Sequence, residues 1–149
     1  PLELQEKVIQ HFANDKRGKV IVFGGGKEEK EIINGWIKKY PAVQSMVGRL
    51  NLSQEILLMS QLDVMYSMDS ANMHLASLVG TPVVSVWGAT HPYAGFMGWN
   101  QKTENAVQTD LACRPCSVFG QKECYRGDYA CMNEIEPKMI TDKIEKLIF

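Results

Sequence analysis

Charge of one sign is missing from this sequence: sixteen Lys and Arg stand against seventeen Asp and Glu, a formal net charge of −1. Without an overall positive field, a nucleic-acid binder that works by bulk attraction to phosphate is excluded. Long hydrophobic runs are missing too, and none approaches the ~20 residues that cross a bilayer. The first residues, Pro1-Leu2-Glu3-Leu4-Gln5-Glu6-Lys7, show neither the basic nor the apolar region of a signal peptide. They also lack Met, so the chain is expected to be a piece of a longer one. Cysteine is sparse, four in 149 residues, which excludes a scaffold built on disulfides. No internal repeat or low-complexity segment is found. What is present is ordinary: 45% hydrophobic and 22% charged residues, enough apolar surface for a core and too little charge for a disordered chain. A cytoplasmic, single-domain α/β protein is the expectation.

The apolar periodicity alternates between helix and strand. Leu4, Val8, Ile9 and Phe12 predict a helix over residues 2–14, with Asn14-Asp15-Lys16-Arg17-Gly18 as its polar stop. Val20–Phe23 is short, β-branched and wholly apolar, the pattern of a strand covered on both faces. A helix over Glu28–Tyr40, closed by Pro41, and a weaker strand over Gln44–Val47 follow. A helix over Ser53–Ser60 is predicted to turn Ile56, Leu57 and Met59 inward. Next come a strand at Val64–Tyr66, a helix over Met73–Val79 and the best strand of all, Val83–Trp87. Such alternation calls for one parallel sheet with crossover helices. Residues 88–131 are loop-like, with a weak strand near Ala106–Gln108, and residues 137–149 return to helix with Pro137 in its first turn.

Ligands of open parallel sheets bind beyond the carboxyl ends of the strands, and two such ends carry suggestive residues. Gly24-Gly25-Gly26-Lys27-Glu28 permits close backbone approach, and Glu28 can accept from ribose hydroxyls. The glycines fit neither the dinucleotide fingerprint nor the P-loop, and a plain turn with Glu28 favouring the helix start is the simpler alternative. The second is Ser67-Met68-Asp69-Ser70-Ala71-Asn72-Met73-His74. With Asp69 or Ser70 at the helix cap, the N–H groups of residues 70–72 form an anion site suited to a diphosphate. Asp69 is then placed to accept hydrogen bonds from sugar hydroxyls. The alternative is a plain N-cap, with His74 a packed helix residue. A hydrolase built on Asp69, Ser70 and His74 lacks the Gly-x-Ser-x-Gly elbow. Cys113-x-x-Cys116, Cys124 and Cys131 are either ligands of one zinc ion at ~2.3 Å or free buried thiols. His91 is expected at a cleft rim and His11 on a helix surface.

Asp69-Ser70-Ala71-Asn72-Met73-His74-Leu75-Ala76, Gly80-Thr81-Pro82-Val83-Val84 and Trp87-Gly88-Ala89-Thr90-His91-Pro92 follow one another at telling spacing. Together they resemble the C-terminal domain of family 9 glycosyltransferases, best known for the ADP-heptose:lipopolysaccharide heptosyltransferases. Gly24–Glu28, Gly48-Arg49-Leu50-Asn51-Leu52 and the late cysteine pattern are similar to the same family.

The resemblance implies a Rossmann-like parallel sheet with flanking helices, the C-terminal half of a GT-B enzyme. Residues 1–149 would be the nucleotide-sugar (donor) domain of an inverting transferase that uses no metal and no cofactor. Its donor would be ADP-heptose or a similar nucleotide sugar, and its acceptor a lipopolysaccharide-type glycan. By the same resemblance Asp69 holds donor sugar hydroxyls, Ser70, Ala71 and Asn72 meet the diphosphate with His74 nearby, Glu28 addresses the ribose, and Leu50 lies against adenine. Two features depart from the family pattern. Ala71-Asn72 stands where many members have Gly-Pro, and the family's phosphate-binding Lys precedes a Trp-Pro pair whose Pro matches Pro1. That Lys, and the acceptor domain with the catalytic base, would lie outside this chain. The fragment alone would be inactive, and the full enzyme would touch the inner membrane only peripherally. The reading from a different class is a stand-alone nucleotide-binding or zinc-containing interaction module.

Overall fold

A computed structural model describes residues 1–15 and 17–149; Lys16, in the expected polar stop, lies outside the described residues. The chain divides into two compact units, Pro1–Glu55 and Ile56–Phe149.

In the first unit the helical periodicity of residues 2–14 produces α1 (Leu2–Asn14), which buries Leu4, Val8 and Ile9. Strand β1 (Val20–Val22), helix α2 (Lys27–Lys39) and strand β2 (Val43–Ser45) then form a βαβ unit. The two strands pair in parallel, Val20 opposite Val43 and Val22 opposite Ser45. Ile9, Ile33, Trp36, Val43 and Val47 make the core. Helix α2 begins at Gly26, whose φ of 82° lies in the region where a side chain is strained. Across the unit, Lys39 Nζ and Tyr40 Oη both reach Glu6, at 2.8 and 3.2 Å.

Helix α3 (Leu52–Met59) crosses the unit boundary. Its start is a reciprocal cap: Gln54 N–H donates to Asn51 Oδ1 and Asn51 N–H to Gln54 Oε1, both at 3.0 Å.

The second unit is organised around β4 (Val83–Val86), whose four residues are all buried. Strand β3 (Met65–Met68) flanks it on one side and β5 (Ala106–Val107) on the other, both in parallel. Helix α4 (Ala71–Leu78) joins β3 to β4 and packs on both, and α6 (Pro137–Ile148) packs on β4 through Ile140 and Ile144. A short α5 (Ala130–Asn133) precedes it. Thr81 Oγ1 donates to the Met59 carbonyl at 2.7 Å and anchors the turn before β4. At the other end of β4, the Met132 side chain of α5 packs closely over Gly88: a Cβ there would lie 2.5 Å from Met132 Sδ, so the methionine would have to move aside for any larger residue.

Three expectations need correction. The strands form two hydrogen-bonded ladders, β1-β2 and β3-β4-β5, in place of one. Strand β1 is half-buried at all three residues, where a fully covered strand was expected. Leu57, predicted inward, is 67% exposed, because the buried side of α3 is centred on Met59. Among the described residues, no helix is long and apolar enough to cross a membrane.

Candidate functional site

In the second unit, β3 delivers Asp69 to the carboxyl edge of its ladder. Met68 stands opposite Val86, and Asp69 N–H closes the ladder on the Val86 carbonyl at 3.2 Å. Ser70 follows as the N-cap of α4, in extended conformation and with no side-chain hydrogen bond to the helix. Its hydroxyl pairs instead with Ser67 Oγ at 3.0 Å. Neither Asp69 nor Ser70 therefore caps the helix through its side chain. The first-turn N–H groups of an α-helix have no partner within the helix, so this terminus keeps its partial positive charge available to an anion. The half-buried Asp69 carboxylate stands one residue before that terminus. His74 is exposed on α4, which corrects its reading as a packed residue. Asp69, Ser70, Ala71, Asn72 and His74 are thus brought onto one strand–helix turn.

In the first unit, Glu28 and Leu50 follow the carboxyl ends of β1 and β2, so they share an edge of that ladder. Glu28 is exposed in the first turn of α2, and Leu50 is half-buried just before the Asn51–Gln54 cap. The glycine turn itself is held by a different carboxylate. Gly25 N–H donates to Glu29 Oε2 at 2.7 Å, leaving Glu28 free of that structural duty.

The largest feature the sequence reading missed is Arg114. Its Nη2 donates to the carbonyls of Trp87 and Thr90, at 3.2 and 3.1 Å, and to Gln108 Oε1 at 3.0 Å. Nε donates to the Gly88 carbonyl and Nη1 to that of Thr109. All five acceptors are neutral, and burial lowers the guanidinium's pKa. One side chain thereby ties the exit of β4 to the exit of β5. No spacing rule marks such a brace; the asparagine–glutamine cap before α3, by contrast, follows a known pattern.

The braced exits line an open cleft of about 170 Å³ formed by His91, Gln108, Thr109, Asp110, Leu111 and Arg114. His91 therefore sits at a cleft rim, as its position after β4 implied. Its Nδ1 accepts from Tyr93 N–H at 3.1 Å, and the two rings lie 4.6 Å apart. His11 is exposed on α1.

The four cysteines are all free of disulfide bonds. Among the described residues, no group of three or more His, Cys, Asp or Glu side chains is arranged to hold a metal ion. Backbone N–H groups of Tyr129, Arg126 and Gly127 lower the pKa of the Cys124 thiol, whereas burial raises that of Cys131.

The parallel ladders with flanking helices fit the fold that the resemblance implies, and comparison with known proteins shows the family. The profile of glycosyltransferase family 9 (heptosyltransferase) matches residues 4–126. The chain belongs to that family. It is 27% identical over 145 residues to lipooligosaccharide heptosyltransferase 2 of Campylobacter jejuni subsp. jejuni serotype O:6, covering 95% of this chain and 44% of the relative. In fold it is similar to the E. coli ADP-heptose lps heptosyltransferase II, with a TM-score of 0.74 at 16% identity over 99% of this chain and 41% of that one. A third similarity is to E. coli heptosyltransferase WaaC with ADP, with a TM-score of 0.68 at 17% identity over 99% and 39% of the two chains. This family 9 chain thus spans less than half the length of the relatives it matches.

Proposed function

We propose that this chain is the donor-binding domain of a glycosyltransferase that moves heptose from ADP-heptose or a similar nucleotide sugar to a lipopolysaccharide-type acceptor. The observation that carries the reading is the α4 terminus. It is a helix start with no side-chain cap, preceded by a carboxylate, at the carboxyl edge of a parallel ladder in a family 9 chain. There the N–H groups of Ser70, Ala71 and Asn72 bind the diphosphate. Asp69 accepts sugar hydroxyls, and His74 flanks the phosphates. Glu28 accepts from the ribose hydroxyls, and Leu50 gives the base an apolar face. Transfer proceeds with inversion, the acceptor site and the catalytic base being supplied by another domain of the complete protein. The enzyme works in the cytoplasm with at most peripheral contact with the inner membrane.

Calorimetry on the complete gene product tests this reading. Charge-assisted hydrogen bonds contribute about 1.5–3 kcal/mol each, and 1.4 kcal/mol is about a factor of ten. Asp69→Ala is expected to weaken ADP-heptose binding at least tenfold and ADP binding less, since the backbone anion site survives. Unchanged nucleotide-sugar affinity and turnover in a folded variant would make Asp69 a structural residue and sink the assignment.

A further inference from the structure

The cleft beyond β4 and β5 is not used by any contact assigned above. We infer that it is a subsite for a single sugar ring, an inference that rests on the transferase reading and names a second half of its site.

Placement comes first. Strands β3, β4 and β5 lie side by side in parallel, so Asp69, His91 and residues 108–111 all emerge at one edge of one ladder. Neighbouring strands are about 4.8 Å apart. The cleft therefore opens within one or two strand spacings of the turn that carries Asp69. A sugar ring bonded to a diphosphate at α4 reaches that far, and so does the ring of an acceptor attacking it.

Size and chemistry then narrow the occupant. At about 170 Å³ the cleft is smaller than the roughly 300–1,000 Å³ of sites that take drug-sized ligands. It suits one ring and not a whole nucleotide sugar. Its polar groups are of mixed character: the Asp110 carboxylate accepts, the Gln108 amide nitrogen donates, and the His91 ring has Nε2 left over because Nδ1 is engaged by Tyr93. Vicinal hydroxyls are both donors and acceptors, and this set answers both roles. Arg114's bonds run to carbonyls and an amide of the protein, and the Asp110 carboxylate in the same lining offsets its charge. Arg114 makes the wall rigid, which reduces the ordering cost on binding. Beside His91, Tyr93 is 87% exposed. A ring so open, held against an imidazole, offers the amphipathic platform on which an apolar sugar face rests.

The ring belongs either to the donor or to the acceptor, and kinetics on the complete gene product separate the two. Asp110→Asn and Tyr93→Ala change exposed side chains and are each expected to raise one KM at least fivefold. A rise in the ADP-heptose KM assigns the ring to the donor, and a rise in the lipopolysaccharide KM assigns it to the acceptor. Both KM values staying within twofold, while Asp69→Ala still suppresses transfer, overturns the cleft and spares the transferase. If the parent protein transfers nothing from any nucleotide sugar, the transferase reading fails instead. The cleft is then decided with methyl α-mannopyranoside as probe and the His91 ring resonances as readout. A shift on titration that is lost in Asp110→Asn upholds the subsite, and no shift overturns it.

Discussion

The two glycine-bearing strand exits of this chain are held in opposite ways. After β1, the turn Gly24–Gly26 receives one side-chain bond, from Gly25 N–H to the exposed Glu29. After β4, the carbonyls of Trp87, Gly88 and Thr90 all accept from Arg114, and the Ala89 carbonyl accepts from the Cys116 and Ser117 N–H groups at 3.1 and 3.3 Å. Segments with few tertiary bonds open at low free-energy cost, and well-bonded ones do so only with the whole unit. The first exit can therefore adjust its backbone, as the proposed nucleoside contact at Glu28 would use. The second presents a fixed wall, which suits the sugar-ring subsite proposed there.

The contrast breaks most visibly at Arg114. Arg114→Met strands five acceptors at once and is expected to destabilise the second unit by about 3 kcal/mol or more. Arg114→Lys recovers little, since an ammonium cannot span the same fork of acceptors. Urea denaturation measures this, and a variant with the parent's midpoint and slope would show that the brace holds nothing.

The first exit should give a smaller effect and separate two neighbouring carboxylates. Glu29→Ala is expected to cost about 1 kcal/mol and to speed hydrogen exchange at the Gly25 amide. Glu28→Ala should stay within about 0.5 kcal/mol of the parent while lowering ADP affinity. Exchange at Gly25 that responds to Glu28 and not to Glu29 would reverse the two roles.

A further effect, no larger than that at Glu29, sharpens the picture of the second unit's ladder. Among the described residues, Tyr66 Oη and Thr109 Oγ1 are buried without a hydrogen-bond partner. Burial pushes the Tyr66 phenol above its ordinary value of 10.0. The folded state keeps the proton where the unfolded chain releases it. Stability is thus unaffected below about pH 10 and falls as pH rises from there toward the folded pKa. Tyr66→Phe should remove that alkaline loss and, by deleting an unpaired hydroxyl, stabilise by up to about 1 kcal/mol at pH 7. A variant with an unchanged slope of stability against pH above 10 would assign the alkaline loss to other groups.

Much of the architecture was legible because period and punctuation agree. The helix predicted over residues 2–14 runs Leu2–Asn14, and that over 28–40 runs Lys27–Lys39, each carried by a clean apolar face. The helix expected at Met73 begins two residues earlier, at Ala71, because Asp69-Ser70 already supplies the extended entry. The turn that gathers Asp69 through His74 could be read because helix-start chemistry is local. What could not be read was non-local. Pairing β1 with β2 but not with β3 depends on which edges meet, which a strand's own residues do not encode. Arg114 is one arginine in a polar loop, and its five acceptors lie up to 27 residues away. That Glu29, and not its neighbour Glu28, bonds the Gly25 amide likewise required the helix phase to be known to one residue.

The close fit of Gly88 against Met132 orders events in time as well as in space. Residues 1–55 close all the contacts of their own core as soon as they are synthesised. The wall at the end of β4 needs partners at Arg114 and then Met132. At translation rates of about 5–20 residues per second, β4 waits roughly 2–9 s for the residue that covers its exit. During that interval β4, whose four residues are all buried in the folded chain, is without this cover. The late, polar, cysteine-bearing loop is in this sense the latch of the second unit, and a nascent chain stalled before Met132 is the species most exposed to misassociation.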